Sequence, residues 1–489
     1  MTMEDARIQS IIDRVMAELR QGERVRHGPA VEPQVAKRPP SPAPALRHGD
    51  NLFPDVDSAV AAARRAYLEL GGMPLAVREQ MIAHIRRLMR ENAQLLAHEA
   101  WQETGMGRYE DKIEKNLLNA NKVPGTEILT PTAWSGDDGM TLVEYAPYGV
   151  IGAIIPSTNP TSSVICNAIG MVAAGNAVVF NAHPGALSCS NHTVQLINEA
   201  ITEAGGPPNL VVALAEPTIE TAQQIMRHPG VRLLVVTGGE GVVREAMKSD
   251  KRAICAGPGN PPVVVDESAD LEQAGRDIVR GAAFDNNIIC IDEKEIFAVA
   301  AIADALKRVM CAHGTYEIDS RQLDRLMKSI FNQVPPAGEH GTLNKGFIGK
   351  NASVLLKEIG VDVGDEVRLV VSEVEPDHPL VLSEQMMPII PLVRVSNADE
   401  GIDLAKRAER GFRHTAVMHS KNLDHLSRMA REMDCSIFVK NAPSFAGVGY
   451  GGEGYCSFSI ASPTGEGITN PISFSRIRRC VLKDSFRIV

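Results

Sequence analysis

The chain has 489 residues, enough for about three compact units or one large two-lobed enzyme and too many for a small binding module. Apolar residues make up 44% and charged residues 22%, which excludes disorder over most of the length. With 50 Lys plus Arg against 60 Asp plus Glu the formal charge is -10, so the net field repels nucleic acid and anionic lipid. Eight cysteines with no CxxC pair and no tight Cys/His cluster point to reduced thiols in a reducing compartment, with no metal site and a cytoplasmic location as the default. No run of about 18 uninterrupted apolar residues suggests a membrane span, and residues 1–20 are too acidic for a transit peptide and lack a signal-type apolar core.

In chain order, the first predicted element is a helix over residues 1–20, where Ile8, Ile11, Ile12, Val15, Met16 and Leu19 form a narrow apolar stripe. Residues 21–48 carry Pro29, Pro33, Pro39, Pro40, Pro42 and Pro44 without an aromatic residue and read as a stiff spacer. A helix held on such a tether either docks into a groove of another protein or folds back on its own body or a copy of it.

From Val143 an apolar strand runs to Ile155, followed by a helix Thr161–Ala174 stopped at Gly175-Asn176 and a strand Ala177–Phe180. Then come a helix Ser188–Ala204, a strand Leu210–Leu214, a helix Thr218–Arg227, a strand Val231–Val236, a short helix ending near Lys248, and strands Arg252–Cys255 and Pro262–Val265. Short apolar strands alternating with longer helices indicate an α/β fold, a doubly wound parallel sheet covered on both faces, whose ligands bind beyond the carboxyl ends of the strands.

Two loops lie at such ends. Pro156-Ser157-Thr158-Asn159-Pro160 sets a side-chain amide just before a helix, and Thr237-Gly238-Gly239-Glu240-Gly241 is a glycine turn whose amides and following helix suit a phosphate, although glycine there also serves backbone freedom alone. Gly447-Val448-Gly449-Tyr450-Gly451-Gly452 satisfies GxGxxG but is followed by Tyr455-Cys456-Ser457-Phe458 and not by a helix, so it lacks the dipole end that holds a pyrophosphate.

An amphipathic helix Asp270–Phe284, capped by Asp270 with Gln273, leads through Asp285-Asn286-Asn287-Ile288-Ile289 to Cys290 and then a strand Glu295–Ala300. Cys290 thus sits on a connection, while Cys166 and Cys189 lie on helices and Cys255 in a strand. It is the candidate nucleophile, against the alternative of a small buried hydrophobe.

Asn159, the Thr237-Gly238-Gly239 turn, the Asn-rich approach to Cys290, Ser383-Glu384-Gln385-Met386-Met387-Pro388 and the closing Gly-rich stretch together resemble the aldehyde dehydrogenase superfamily. Within it, Cys290-Ile291-Asp292-Glu293-Lys294-Glu295 and Ser462-Pro463-Thr464-Gly465-Glu466-Gly467 are similar to the CoA-acylating aldehyde dehydrogenases of bacterial microcompartments, over about residue 50 to the end. The resemblance implies a Rossmann-like cofactor domain (residues 49–126 and 147–256), an α/β catalytic domain (257–445, with a loop-rich closing segment 446–469) and a β oligomerisation arm (127–146 and 470–489). In the arm, Met140–Glu144 and Ser475–Leu482 are strand-like, as ordinary edge strands would also be. It implies a Cys290 nucleophile, an oxyanion met by the Asn159 amide and the Cys290 N–H, a pyrophosphate at Thr237, Gly238 and Gly239, and a nicotinamide ribose at Glu384, with Pro156 and Ser157 also at the cofactor. NAD and coenzyme A, a short-chain aldehyde (propionaldehyde first), a dimer or tetramer, and a shell protein held by residues 1–20 inside a microcompartment complete the expectation.

Two departures bear on subclass. Hydrolytic members place a glutamate where this chain has Ala256, in Ala256-Gly257-Pro258-Gly259, so water lacks a positioned base and thioester transfer to a thiol is favoured, unless Asp285, Glu293 or Glu295 enters the site. Asn181 stands where many relatives carry a lysine near the adenosine ribose, which leaves NAD versus NADP open and suits the adenosine of CoA; His183 either lines that cleft or bonds its own turn. The competing readings are a hydrolytic NAD(P)-dependent enzyme and a non-catalytic shell cargo or scaffold protein.

Overall fold

A computed structural model of the chain describes residues 51–488; the predicted N-terminal helix and its Pro-rich spacer lie outside the described residues. Two parallel sheets organise the body. The first has six strands in the order Leu52–Phe53, Val211–Leu214, Ala177–Asn181, Val150–Ile154, Val231–Thr237, Arg252–Ala256. The second has seven, in the order Thr315–Glu317, Leu369–Glu373, Ile389–Val395, Glu295–Val299, Pro262–Val265, Thr415–His419, Ile437–Lys440. Central strands such as Val150–Ile154, Ala177–Asn181 and Glu295–Val299 are buried at every position, which is why they read as unbroken apolar runs and not as alternating ones.

Val150–Ile154 pairs with Ala177–Asn181 on one side and with Val231–Thr237 on the other. The chain therefore changes direction of travel across the sheet between the first and the last of these three strands. Such a switch point leaves a crevice at the carboxyl ends, and both loops singled out in the sequence open into it.

The helix after the first loop spans Pro160–Ala173, with proline at its first position and all fourteen residues buried. Its stop is a Schellman motif: Gly175 (φ 84°) donates to the Val172 carbonyl at 2.8 Å and Asn176 to the Met171 carbonyl at 3.0 Å. The Asn176 side chain then accepts from the Tyr148 and Gly149 N–H groups.

That anchor marks one departure from expectation. The apolar run Val143–Ile155 is not a single strand: Gly149 (φ 125°) divides Gly139–Pro147 from Val150–Ile154. The first piece leaves the parallel sheet for an antiparallel three-stranded one, between Thr132–Gly136 and Ser475–Lys483, the latter in register from Ser475 opposite Pro147 to Lys483 opposite Gly139. Ile477, Val481 and Trp134 stand exposed on this sheet. A second departure is the helix expected to Phe284, which ends at Ala282 because the residues beyond it turn left-handed.

Candidate active site

The segment Phe284–Asn287 carries three consecutive non-glycine residues in the left-handed region, Asp285 (φ 45°), Asn286 (φ 56°) and Asn287 (φ 66°). Asp and Asn tolerate this conformation best, but each instance costs of order 1–3 kcal/mol unless the surroundings hold it. Here every side chain is held. The Asp285 carboxylate accepts from the Arg108 N–H at 2.6 Å and from Lys112 and Lys115. Asn286 donates to the Gly349 carbonyl and Asn351, and Asn287 donates to the Ala282 and Glu293 carbonyls while accepting from Lys294. The Asn-rich approach seen in the sequence is thus the backbone device that presents Cys290.

Past it, the Asp292 carboxylate accepts from the Ile289 N–H at 2.9 Å and closes a tight loop around the cysteine. The Cys290 N–H makes no hydrogen bond to another of the described residues, and the side chain is partly exposed to a cleft. Gly259 lies against this loop: a Cβ there would stand 2.5 Å from the Cys290 carbonyl oxygen and 3.0 Å from His414 Cγ.

The cleft has a volume of about 650 Å³ and occupies the crevice at the switch point. Cys290, Asn159, Thr237, Gly238, Gly239, Glu384, Asn181, His183, Pro156 and Ser157 all line it. The turn after Thr237 opens a helix, Glu240–Met247, with Gly239 at its N-cap, and a Cβ at Gly239 would meet nothing within 4 Å. An anion can approach those amides closely, as a dinucleotide pyrophosphate requires. Apolar Ile219, Ala222, Met226 and Val242 wall the same region and suit a flat aromatic base, so the residues present fit a dinucleotide.

Asn181 is tied to the neighbouring helix: its carboxamide accepts from Thr221 Oγ1 at 2.6 Å and donates to the Thr218 carbonyl at 3.5 Å. His183 both lines the cleft and accepts from the Gly185 N–H through Nδ1, so the two roles weighed for it coexist. Burial, then the Lys345 ammonium, hold His183 below the ordinary histidine range.

The electrostatics favour the protonated form of Cys290. Burial foremost, then the Glu384 and Asp292 carboxylates, push the Cys290 thiol up to about 12, against the pull of Lys294. Burial likewise raises Glu384, whose carboxylate takes a long 3.5 Å contact from the Gly259 N–H.

The question of a base for water also has a geometric answer. Ala256 is a buried strand end, and Gly257 and Pro258 line the cleft after it. Asp285, Glu293 and Glu295, the three acids considered as substitutes, are all fully buried away from it, on Lys112 and Lys115, on Ser444 and on Asn260 respectively. Among the described residues the carboxylates lining the cleft are Glu245 and Glu384.

Three features escaped sequence reasoning. Lys345 lines the cleft as an exposed cation on a segment with no motif. His414, buried beside Gly259, bonds Thr415 Oγ1 through Nδ1 and leaves Nε2 without a partner, and burial with Lys294 pushes its pKa down to about 3, so the ring is neutral. Lys112 and Lys115 form the buried pair on Asp285; at positions i and i+3 of the helix Tyr109–Lys122, they look like a solvated face in sequence.

The profile of the aldehyde dehydrogenase family matches residues 52–459. The chain is 48% identical over 443 residues to an acetaldehyde dehydrogenase (acetylating) of Salmonella typhimurium, covering 90% of this chain and 94% of that one. It is similar to the crystal structure of Rhodopseudomonas palustris propionaldehyde dehydrogenase with bound CoA and an acylated cysteine, with a TM-score of 0.86, 46% identity, and coverage of 89% of this chain and 99% of the other. A propionaldehyde dehydrogenase from the fucose utilisation bacterial microcompartment of Clostridium phytofermentans aligns with a TM-score of 0.87 and 47% identity, over 90% and 100% of the two chains.

Proposed function

The chain belongs to the aldehyde dehydrogenase family, and from that premise we propose that it oxidises a short-chain aldehyde to its CoA thioester, with propionaldehyde the first choice and acetaldehyde one methylene away. The observation that carries the reading is the pairing of Cys290 and Asn159 across one cleft with alanine at position 256.

The Cys290 thiol releases its proton to water in the cleft, its sulfur attacks the aldehyde carbon as the carbonyl π bond opens, and the carbonyl oxygen becomes an alkoxide. The Cys290 N–H and the Asn159 carboxamide are the donors available to it, and one such donor is worth about 10²–10³ in kcat. Bound NAD supplies a single thing, an acceptor for the hydride that leaves the former aldehyde carbon. The acyl group then stays on Cys290 as a thioester. No carboxylate at position 256 activates water, so hydrolysis forgoes the roughly 10²–10⁴-fold help of a positioned base, while the thiol of CoA needs none as strong. CoA and the dinucleotide share an adenosine diphosphate end, and both fit the cleft walled by Ile219 and Met226 beside Gly238 and Gly239. We read the order as ping-pong, reduced dinucleotide leaving before CoA enters.

The same reading assigns the three-stranded sheet to subunit contact in a homo-oligomer, and residues 1–20 to a docking helix for a microcompartment shell protein, in keeping with the microcompartment relative. Incubation with aldehyde and NAD, with and without CoA, tests the chemistry. With CoA, acyl-CoA and NADH form in equal amounts; without it, NADH stops at about one equivalent and Cys290 carries the acyl mass. Free acid accumulating at the same rate without CoA refutes the reading. Deleting residues 1–20 is expected to release the enzyme from shells and leave its turnover in solution intact; an equal loss of soluble activity refutes the docking role.

A further inference from the structure

Asn159 is the N-cap of the helix Pro160–Ala173, yet its side chain makes no capping bond. Asparagine is among the strongest capping residues because its oxygen accepts from the backbone N–H two or three positions on. Here that oxygen is engaged elsewhere: Lys115 Nζ donates to Asn159 Oδ1 at 2.6 Å. Lys115 is 1% exposed, and it also donates to Asp285, the carboxylate that Lys112 reaches at 3.0 Å. The neighbouring Asn116 accepts from Thr161 and Ser162 at 2.9 Å each, so the helix bearing Lys115 is fastened to the first turn beyond Asn159 by two further bonds.

We propose that Lys115 is a positioning residue for the oxyanion step, its buried ammonium fixing the Asn159 carboxamide so that the NH₂ group, and never the oxygen, faces the reacting carbonyl. An ammonium has donors only, so it meets an amide at its oxygen; a flipped Asn159 would set NH₂ against NH₃⁺. Nδ2 is thereby left on the side of Thr158, another cleft residue, whose Oγ1 it reaches at 3.2 Å. A cation on the carboxamide oxygen also polarises the group and strengthens its N–H as a donor. Asp285 keeps the ammonium affordable in the interior, and since Asp285 opens the left-handed run to Cys290, one carboxylate indexes both the nucleophile and the oxyanion donor. The inference rests on the reading of Asn159 as that donor.

Charge balance makes the test clean. Lys115→Met leaves Lys112 paired with Asp285, and Lys112→Met leaves Lys115 paired with it, so each variant removes one of two cations and keeps a buried ion pair. Only the first removes the contact to Asn159. With saturating NAD and CoA, Lys115→Met is expected to lower kcat for aldehyde oxidation by about 10- to 100-fold with little change in KM, and Lys112→Met, which loosens Asp285 but keeps the Asn159 contact, by a distinctly smaller factor. In an Asn159→Ala background, Lys115→Met is expected to cost less than about threefold more, because the group it positions is gone. Lys115→Gln, which keeps a donor of shorter reach, should recover part of the Met loss and serves as the comparison should the Met protein not fold. Additive losses of Lys115→Met and Asn159→Ala, equal losses from the two lysine variants, or no recovery by Gln overturn the inference. If Asn159→Ala itself retains wild-type kcat, it is the underlying oxyanion reading that fails.

Discussion

A methyl group added at Gly259 measures how tightly the Cys290 loop is placed. The Cβ of Gly259→Ala would lie 2.5 Å from the Cys290 carbonyl oxygen, where ordinary contact begins at 3.4 Å, and 3.0 Å from the His414 ring. Its φ lies outside the left-handed range, so alanine adds contact without backbone strain. The nearest atom is backbone, so it cannot rotate away, and relief requires the loop to retreat by about 1 Å. The loop is anchored by the Asp292–Ile289 bond and by Lys294 on the Asn287 and Ile289 carbonyls, so overpacking costs about 1–3 kcal/mol of stability. A displacement near 1 Å at the reacting atom lowers turnover by about 10²-fold, close to 2.7 kcal/mol of activation free energy. Urea titration reads the loss of stability, and NADH formation at saturating aldehyde, NAD and CoA reads the loss of turnover. Turnover within about threefold of wild type, with unchanged stability, would refute the argument that the Gly259 contact sets the position of Cys290.

Alkylation of Cys290 by iodoacetamide in the cofactor-free enzyme should accelerate by about tenfold per pH unit from pH 7 to 10 without a plateau, since burial, Glu384 and Asp292 favour the thiol and the thiolate fraction grows only toward about 12; a plateau below pH 8 contradicts this. Burial raises Glu293 to about 7, above the ordinary carboxyl value of 4.5, so its contribution to stability is intact below about pH 4.5 and is lost as pH rises through 7. Glu293→Gln should therefore gain about 1–3 kcal/mol relative to wild type between pH 4.5 and 7.5, read by urea unfolding, and a constant difference across that window counts against it. Replacing exposed Ile477 and Val481 by aspartate on the strand Ser475–Lys483 should reduce the mass seen by light scattering, and an unchanged mass removes this face from the assembly.

What the sequence made legible, and what it hid, divides along physical lines. Apolar runs bounded by Gly and Pro located the helix Pro160–Ala173, the strand Ala177–Asn181 and their neighbours to within a residue or two, because parallel strands buried on both faces carry no competing pattern. Of the ten residues named for the site, all but Cys290 and Glu384, which lie in connecting loops, sit at or just beyond strand and helix ends, where the crevice of such a sheet must open, and all ten line one cleft. The break at Gly149 was hidden because both sides of it are apolar, and one side faces a different sheet. Lys112 and Lys115 were hidden for the opposite reason: a polar stripe at helical spacing signals solvent, and only the fold brings Asp285 to it across 173 and 170 positions. His414 carries no local signal at all: its burial, and its closeness to Gly259 some 155 positions earlier, come from tertiary packing.

The resting state of Cys290 has a consequence for the durability of the protein. A sulfur held as a thiol reacts poorly with peroxide and with other disulfides, since both attacks require the anion. In an idle molecule Cys290 is thereby disfavoured for sulfenic acid formation and mixed-disulfide capture, whereas Cys311 and Cys480 stand exposed. Oxidation at Cys290 requires that proton to leave first, so inactivation by peroxide through this residue should be faster in an enzyme that is turning over than in an idle one.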